Sequence, residues 1–277
     1  MRLLILGMGY TGRVFAAHMR GLGWEVRGTA RNPPDDSLIQ WPGRDISATL
    51  GWASHILLSA APGVDGDPFL AALGPDFLAA KPAWVGYLST TGVYGDHGGN
   101  WVDEHTALTP ATARGHLRVK AEAQWMARYK SDHLPVHIFR LAGIYGPGRG
   151  PFAKLRAGSA RRIIKHNQVF SRIHVEDIAQ TLHASIQKPN PGQIYNICDN
   201  TPAPPQDVIS YAATLLGLPL PPALDYETAD MTPMARSFYA ESKKVSNARI
   251  KSELGVRLHY PDYKTGLKAL LAQETAG

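Results

Sequence analysis

The feature that most constrains this chain of 277 residues is a glycine-rich segment directly after its first apolar run. Residues 2–6 (RLLIL) predict a short buried β-strand, and the spacing of apolar residues over 10–22 predicts a helix. Between them, residues 7–12 (GMGYTG) fit the pattern G-x-G-x-x-G. A strand, such a turn and a helix in this order are typical of dinucleotide binding.

Each glycine of this turn has a predicted purpose. Gly7 permits the tight turn, Gly9 lets the backbone approach a diphosphate, and Gly12 lets the helix pack closely on the strand. Tyr10 and Thr11 begin the helix, whose free N–H groups and positive dipole end attract phosphate. We therefore predict a dinucleotide site at these five residues.

The end of the second predicted strand, residues 24–29, bears on the choice of cofactor. NAD sites usually carry a carboxylate here for the ribose 2′-hydroxyl, whereas an arginine accommodates the 2′-phosphate of NADP. This chain has Thr29 and Arg31 and no carboxylate at the strand end. We therefore predict NADP(H), with NAD left open.

Strands and helices alternate through the first half of the chain. Further buried strands are predicted at 54–60, 83–89, 135–141 and 194–198, with helices near 69–81, 112–131 and 263–273. Alternation with nearly continuous apolar strands predicts an α/β fold, a doubly wound parallel sheet covered on both faces. The composition changes after Gly143, where a turn-rich segment and recurrent prolines predict shorter elements.

Composition excludes several classes of protein. Cys198 is the only cysteine, so no internal disulfide is possible, and we expect a cytoplasmic protein without membrane spans. The net charge of +6 includes a basic cluster over 156–166, but no nucleic-acid motif surrounds it, so we expect no nucleic-acid partner. No metal-ligand spacing occurs among the histidines, and no metal is predicted.

Four further motifs occur in order along the chain: STTGVYG at 89–95, RLAGIYGP at 140–147, RIHVEDIA at 172–179 and YNI at 195–197. Together with the glycine-rich turn, they resemble landmarks of the extended short-chain dehydrogenase/reductase superfamily, of the NAD-dependent epimerase/dehydratase type. The resemblance spans nearly the whole chain. One departure is the glycine pattern itself, because the family usually has G-x-x-G-x-x-G.

The resemblance implies a Rossmann-like domain and a smaller, mostly C-terminal substrate lobe. The Rossmann domain is expected over 1–145 with about 173–200, and the lobe over about 146–172 and 201–277. The resemblance also implies further cofactor contacts, near the adenine, at the fourth strand end and near the nicotinamide. These expected contacts are Asp45 and Ile46 near the adenine, Ser59, Ala60 and Ala61 at the fourth strand end, and Ala142 and Gly143 near the nicotinamide.

The resemblance further implies a catalytic Ser or Thr and a Y-x-x-x-K pair on the following helix. Thr90 takes the first role by position, and Lys120 fits the lysine, which also binds the ribose. The tyrosine position is then His116, four residues before Lys120 and on the same helix face. An imidazole can transfer protons near pH 7, so either His116 replaces the phenol or catalysis has been lost.

Three functions follow from these features. The first is an atypical NADP-dependent oxidoreductase acting on a small carbonyl or hydroxyl compound, with the basic lobe favouring an anionic one. The second is a sugar-nucleotide epimerase or dehydratase, and the third is a redox sensor that holds NADP(H) without turnover. The expected partner is a small-molecule substrate, and the family offers a homodimer by analogy only.

Overall fold

The computed structural model describes residues 1–276, and its centre is a seven-stranded parallel sheet. In chain order its strands are β1 (Arg2–Leu6), β2 (Glu25–Ala30), β3 (Ile39–Gln40), β4 (His55–Leu58), β5 (Trp84–Thr90), β7 (Val136–Leu141) and β11 (Ile194–Ile197). Across the sheet they follow the order β11-β7-β5-β4-β1-β2-β3. Every neighbouring pair is parallel, so all carboxyl ends meet at one edge.

Helices cover both faces of this sheet. They are α1 (Tyr10–Gly21), α2 (Ser47–Trp52), α3 (Pro68–Ala80), α4 (Ala113–Asp132) and α6 (Val175–Gln187). One buried core contains Phe15 of α1 and Leu182 of α6, and the other contains Phe77 of α3 and Trp125 of α4. The predicted Rossmann-like α/β class is therefore confirmed.

The remaining elements lie outside this sheet, and we call the segments at about 146–172 and 201–277 the lobe. The strands are β6 (Trp101–Val102), β8 (Gly143–Tyr145), β9 (Arg162–Ile164), β10 (Arg172–His174), β12 (Ala223–Asp225) and β13 (Lys244–Val245). The helices are α5 (Phe152–Arg156), α7 (Pro205–Leu215), α8 (Pro233–Phe238), α9 (Ala248–Ser252) and α10 (Tyr263–Ala276). A third core, with Phe152, Ala212 and Leu267 among its members, joins α5, α7 and α10.

The predicted elements agree with the structure to within a few residues, except for short pieces. The pattern missed β3 and α2, because neither is long enough to show a period, and it also gave no bounds for α6, which has 13 residues. The third helix is kinked at Leu73, two residues before Pro75, where the backbone leaves the helical region. Within residues 1–276, no helix is both long and apolar enough to cross a membrane.

Candidate dinucleotide-binding cleft

The glycine-rich turn lies between the carboxyl ends of β1, β2 and β4. The Gly7 N–H donates to Thr29 Oγ1 at 3.0 Å, and the Met8 N–H donates to the Thr29 carbonyl at 2.7 Å. Gly7 has a φ of +87°, and a Cβ there would lie 2.8 Å from the Ala60 Cβ. Only glycine satisfies both the left-handed backbone and this close approach.

Gly9 and Gly12 differ from Gly7 in what surrounds them. A Cβ on Gly9 would meet nothing within 4 Å, so the backbone before α1 faces open space. A Cβ on Gly12 would lie 3.1 Å from Ile5 Cγ2, which is the close helix–strand packing predicted from the motif. The first turn of α1 has no acidic residue, and no side chain caps it. These features fit a bound diphosphate, which Gly9 and the free N–H groups of α1 would hold.

Thr29 and Arg31 have different positions at the end of β2. Thr29 is completely buried and its hydroxyl accepts from Gly7, so this side chain supports the turn. Arg31 lies just beyond β2, is exposed, and takes part in none of the ion pairs within residues 1–276. The guanidinium of Arg31 is therefore the group at this strand end that can meet a ligand phosphate.

The adenine contacts predicted at Asp45 and Ile46 fall at the start of α2. Ile46 is 1% exposed and belongs to the core, so any ligand contact there has to come from its backbone. Asp45 is exposed, and its Oδ1 accepts from the backbone N–H and the hydroxyl of Ser47 at 2.9 and 2.7 Å. These hydrogen bonds lower the pKa of Asp45.

The other predicted cofactor contacts lie at the same edge of the sheet. The Ser59 N–H donates to the Leu6 carbonyl, and the next residue, Ala60, is the one that faces Gly7. Ala61 is exposed just beyond them. At the far side of the edge, the Ala142 N–H donates to the Ile197 carbonyl and is followed by the exposed Gly143. Parallel pairing therefore brings these residues to the same edge as the turn.

Thr90 is the last residue of β5 and begins the turn that meets α4. Its Oγ1 accepts from the Gly92 N–H at 3.2 Å, and its side chain remains half-buried. Gly115 of α4 packs against this turn, since a Cβ there would lie 2.9 Å from the Gly92 carbonyl oxygen. The first turn of α4 therefore lies directly beside the end of β5.

The face of α4 directed at the sheet consists of Gly115, Arg118 and Glu122. The Arg118 Nη1 donates to the Leu88 carbonyl at 2.5 Å and to the Tyr87 hydroxyl at 3.1 Å. Glu122 is buried and pairs with Arg140 of β7 at 2.7 Å. Spacings of three, four and seven residues place these positions on one side of a helix.

His116 and Lys120 lie on another side of α4. Both are exposed, and the Lys120 Nζ donates to the Val64 carbonyl, in the loop after β4, at 2.8 Å. Two residues correspond to about 200° around a helix, so the pair lies nearly opposite Arg118. The two residues do share a face, as their spacing predicts. The structure does not direct that face at β5, where the resemblance expects the catalytic pair.

Arg114 is the residue that sequence reasoning missed. It lies four residues before Arg118, and its Nη2 is 3.4 Å from Ser237 Oγ of α8. Its guanidinium lies 5.1 Å from the centre of the Phe238 ring. Arg114 therefore connects the first turn of α4 to the lobe. The sequence does offer one signal for Arg114. It is the spacing of Arg114 along α4 from Glu122, a charged residue on the apolar side of that helix.

Part of the predicted basic cluster contributes to the lobe face near α8. Lys165 Nζ lies 4.8 Å from the centre of the Tyr226 ring, and the Arg236 guanidinium lies 5.0 Å from that ring centre. Arg156 instead pairs with Glu274 at 2.6 Å. Within residues 1–276, no three side chains of the His, Cys, Asp and Glu types come together as metal ligands.

A solved protein from Silicibacter pomeroyi DSS, described as functionally unknown and conserved, is 59% identical to this chain. It has a TM-score of 0.93, and the match covers 98% of each chain. The family model for the NAD dependent epimerase/dehydratase family matches residues 77–198, which include β5, α4 and β11. This segment of the chain therefore resembles the NAD dependent epimerase/dehydratase family.

Other solved structures share the fold. The dTDP-glucose 4,6-dehydratase of Bacillus anthracis str. Ames, solved with NAD, has a TM-score of 0.80 at 19% identity, covering 100% of this chain and 97% of its own. A UDP-glucuronic acid 4-epimerase of Bacillus cereus, solved with UDP-glucuronic acid and NAD, has a TM-score of 0.77 at 18% identity, covering 99% and 100%. At these identities the likeness shows the fold alone. Protein YeeZ of Escherichia coli (strain K12) is 29% identical over 94% of this chain and 97% of its own length.

Proposed function

We propose that this protein binds NADP(H) in the cleft and reduces or oxidises a small anionic compound at a carbonyl or hydroxyl carbon. The observation that carries the proposal is the position of Arg114. Arg114 directly precedes Gly115, which packs against the turn after Thr90, and the Arg114 side chain faces α8 of the lobe. A cation there lies between the cofactor edge and the substrate lobe.

Arg114 and Arg118 have the spacing of the family's Y-x-x-x-K pair. Arg118 lies toward the sheet, and Arg114 lies toward the lobe. We infer that they stand where the family has tyrosine and lysine. An arginine remains protonated at all physiological pH values, so it cannot transfer a proton as a phenol does. It can stabilise negative charge on a substrate oxygen, which is often the largest single contribution to catalysis.

The bound nicotinamide would supply or accept the hydride. The Thr90 hydroxyl would hold the substrate oxygen, with the Arg114 guanidinium as its charge partner. Because Arg114 is exposed, water can deliver the proton to this oxygen. The lobe cations Lys165 and Arg236, which have no carboxylate partner within residues 1–276, favour an anionic substrate.

NADP(H) rather than NAD(H) is proposed because Arg31 is an exposed, unpaired guanidinium at the end of β2, where no carboxylate lies. The NAD named for the structural neighbours supports the site and the class of cofactor. A second candidate function is NADP(H) binding without turnover. It is favoured by Arg114 and Arg118 of α4, because neither can act as a general acid.

A turnover screen tests the proposal and separates the two functions. NADPH consumption is followed with carbonyl compounds with and without a carboxylate or phosphate, and sugar nucleotides are included. On any substrate found, Arg114→Gln should lower kcat by about 10² or more, as expected for a group that stabilises a developing negative charge. His116→Phe, a change on the exposed side of α4, should retain activity within a few-fold and serves as the matched control.

The outcomes discriminate clearly. If His116→Phe abolishes turnover while Arg114→Gln retains it, the assignment to Arg114 is wrong and the imidazole transfers the proton. If NADPH binds tightly and the whole panel gives no turnover, the binding function replaces the enzyme. If neither NADPH nor NADH binds, the proposed function as a whole fails.

A further inference from the structure

The first residue of α1 is tied to the loop that leads into the lobe. The Tyr10 hydroxyl donates to the Pro147 carbonyl at 3.0 Å, across 137 residues of sequence. Tyr10 directly follows Gly9, the glycine whose backbone faces open space. The loop after β8 therefore reaches the phosphate end of α1.

This loop, residues 146–150 (GPGRG), is closed by two backbone hydrogen bonds. The Gly146 N–H donates to the Arg149 carbonyl at 3.0 Å, and the Arg149 N–H donates to the Gly146 carbonyl at 2.9 Å. A Cβ on Gly146 would lie 2.5 Å from the Tyr10 hydroxyl and 2.6 Å from Val175 Cγ1. A side chain at Gly146 would therefore push the loop away from Tyr10.

The closed loop presents Arg149 to the start of α1. The Arg149 guanidinium lies 5.6 Å from the centre of the Tyr10 ring, a cation–π arrangement. Arg149 is exposed, and it takes part in none of the ion pairs within residues 1–276. Its charge also lowers the pKa of Tyr10, although burial raises that pKa overall.

A guanidinium near the start of a helix favours an anion at the same place. The N-terminus of a helix carries a partial positive charge, which a nearby cation opposes and an anion stabilises. In α1 no acidic side chain lies in the first turn, and no side chain accepts from its N–H groups. The Arg149 guanidinium, which packs against the ring of the first residue of α1, therefore adds a second positive group near this helix start.

We propose that Arg149 binds the cofactor diphosphate from the lobe side, with Tyr10 as its positioning residue. The inference rests on the proposed function, because it concerns the same cofactor. The inference goes beyond the proposed function in one respect. If a lobe residue binds the cofactor, the cofactor affinity depends on the contact between the lobe and the Rossmann domain. NAD and NADP share the diphosphate, whereas the 2′-phosphate near Arg31 belongs to NADP alone.

The test is calorimetric titration of NADPH and NADH into the full-length protein and its variants. Arg149→Gln should weaken both cofactors by a similar factor of about ten, the loss typical of one charge-assisted contact. Arg31→Gln should weaken NADPH and leave NADH unchanged. Arg161→Gln, at an exposed lobe arginine without a described ligand contact, is the control and should change neither affinity.

Tyr10 is tested through the double variant. Tyr10→Phe keeps the ring and removes the hydrogen bond to Pro147, so it should weaken both cofactors by less than Arg149→Gln. If Tyr10 acts through Arg149, the double variant should bind no more weakly than Arg149→Gln alone. Binding of both cofactors to Arg149→Gln as tightly as to the unmodified protein would overturn the inference and leave the proposed function intact. Loss of NADPH affinity alone in this variant would also overturn it, and would assign Arg149 to the 2′-phosphate.

Discussion

Glu122 of α4 and Arg140 of β7 form an ion pair of 2.7 Å whose side chains are only 4% and 3% exposed. Arg140 Nη1 also donates to the Tyr94 hydroxyl at 2.9 Å, and the Ser89 hydroxyl donates to Glu122 Oε1 at 2.5 Å. This network sets the rotation of α4 about its axis. With Glu122 directed at β7, Arg118 must face β5, and His116 must lie on another side.

We predict that Glu122→Gln strongly destabilises the fold. The substitution leaves the Arg140 charge buried without its partner, which typically costs about 3–5 kcal/mol. Urea unfolding at pH 7 measures the change in the free energy of unfolding. The matched control is Arg128→Ala, which removes the partly exposed pair of Arg128 with Asp132 and should cost less than about 1 kcal/mol. A small, equal loss in both variants would show that the buried pair does not anchor α4.

Gly9→Val should remove cofactor binding and leave the fold intact. The added side chain points into open space, so it displaces no protein atom and occupies the place expected for the diphosphate. Gly7→Val is the contrasting variant, because its φ of +87° and the Ala60 contact at 2.8 Å make any side chain strained. Circular dichroism and thermal unfolding should therefore change for Gly7→Val alone. Retained NADPH affinity in a folded Gly9→Val protein would contradict the assignment of the turn.

Asp199, just after β11, should make stability depend on pH. It is 1% exposed, and its Oδ2 has no hydrogen-bond partner within residues 1–276. Burial raises the pKa of Asp199 from 3.8 to about 7, against a lowering by Arg172. Because the folded pKa lies above the unfolded one, the contribution to stability is full below about pH 4. It is lost progressively as the pH rises through 7.

The measurement compares Asp199→Asn with the unmodified protein by urea unfolding at pH 5 and pH 8. At about 1.4 kcal/mol per pKa unit, the variant should gain about 2–3 kcal/mol relative to the unmodified protein between these pH values. Taking the difference between the two proteins cancels the other titrating groups. The same free-energy difference at both pH values would mean that Asp199 titrates normally.

Sequence pattern alone determined the Rossmann-like fold and the glycine-rich turn at its edge. Both depend on local rules, since buried parallel strands appear as continuous apolar runs and a dinucleotide turn needs glycines at fixed spacing. The prediction for residues 7–12 therefore agrees with the turn in the structure, where Gly9 faces open space. Order along the chain also brought the strand ends, Thr90 among them, to one edge of the sheet.

Only the tertiary structure decided which side of α4 faces that edge. Two candidate pairs four residues apart, Arg114 with Arg118 and His116 with Lys120, have the same periodicity, so spacing cannot distinguish them. The buried contact between Glu122 and Arg140 turns Arg118 toward β5, because a charge removed from water must meet its partner. Likewise, no local pattern relates Tyr10 to Arg149, whose contact depends on how the lobe packs against α1.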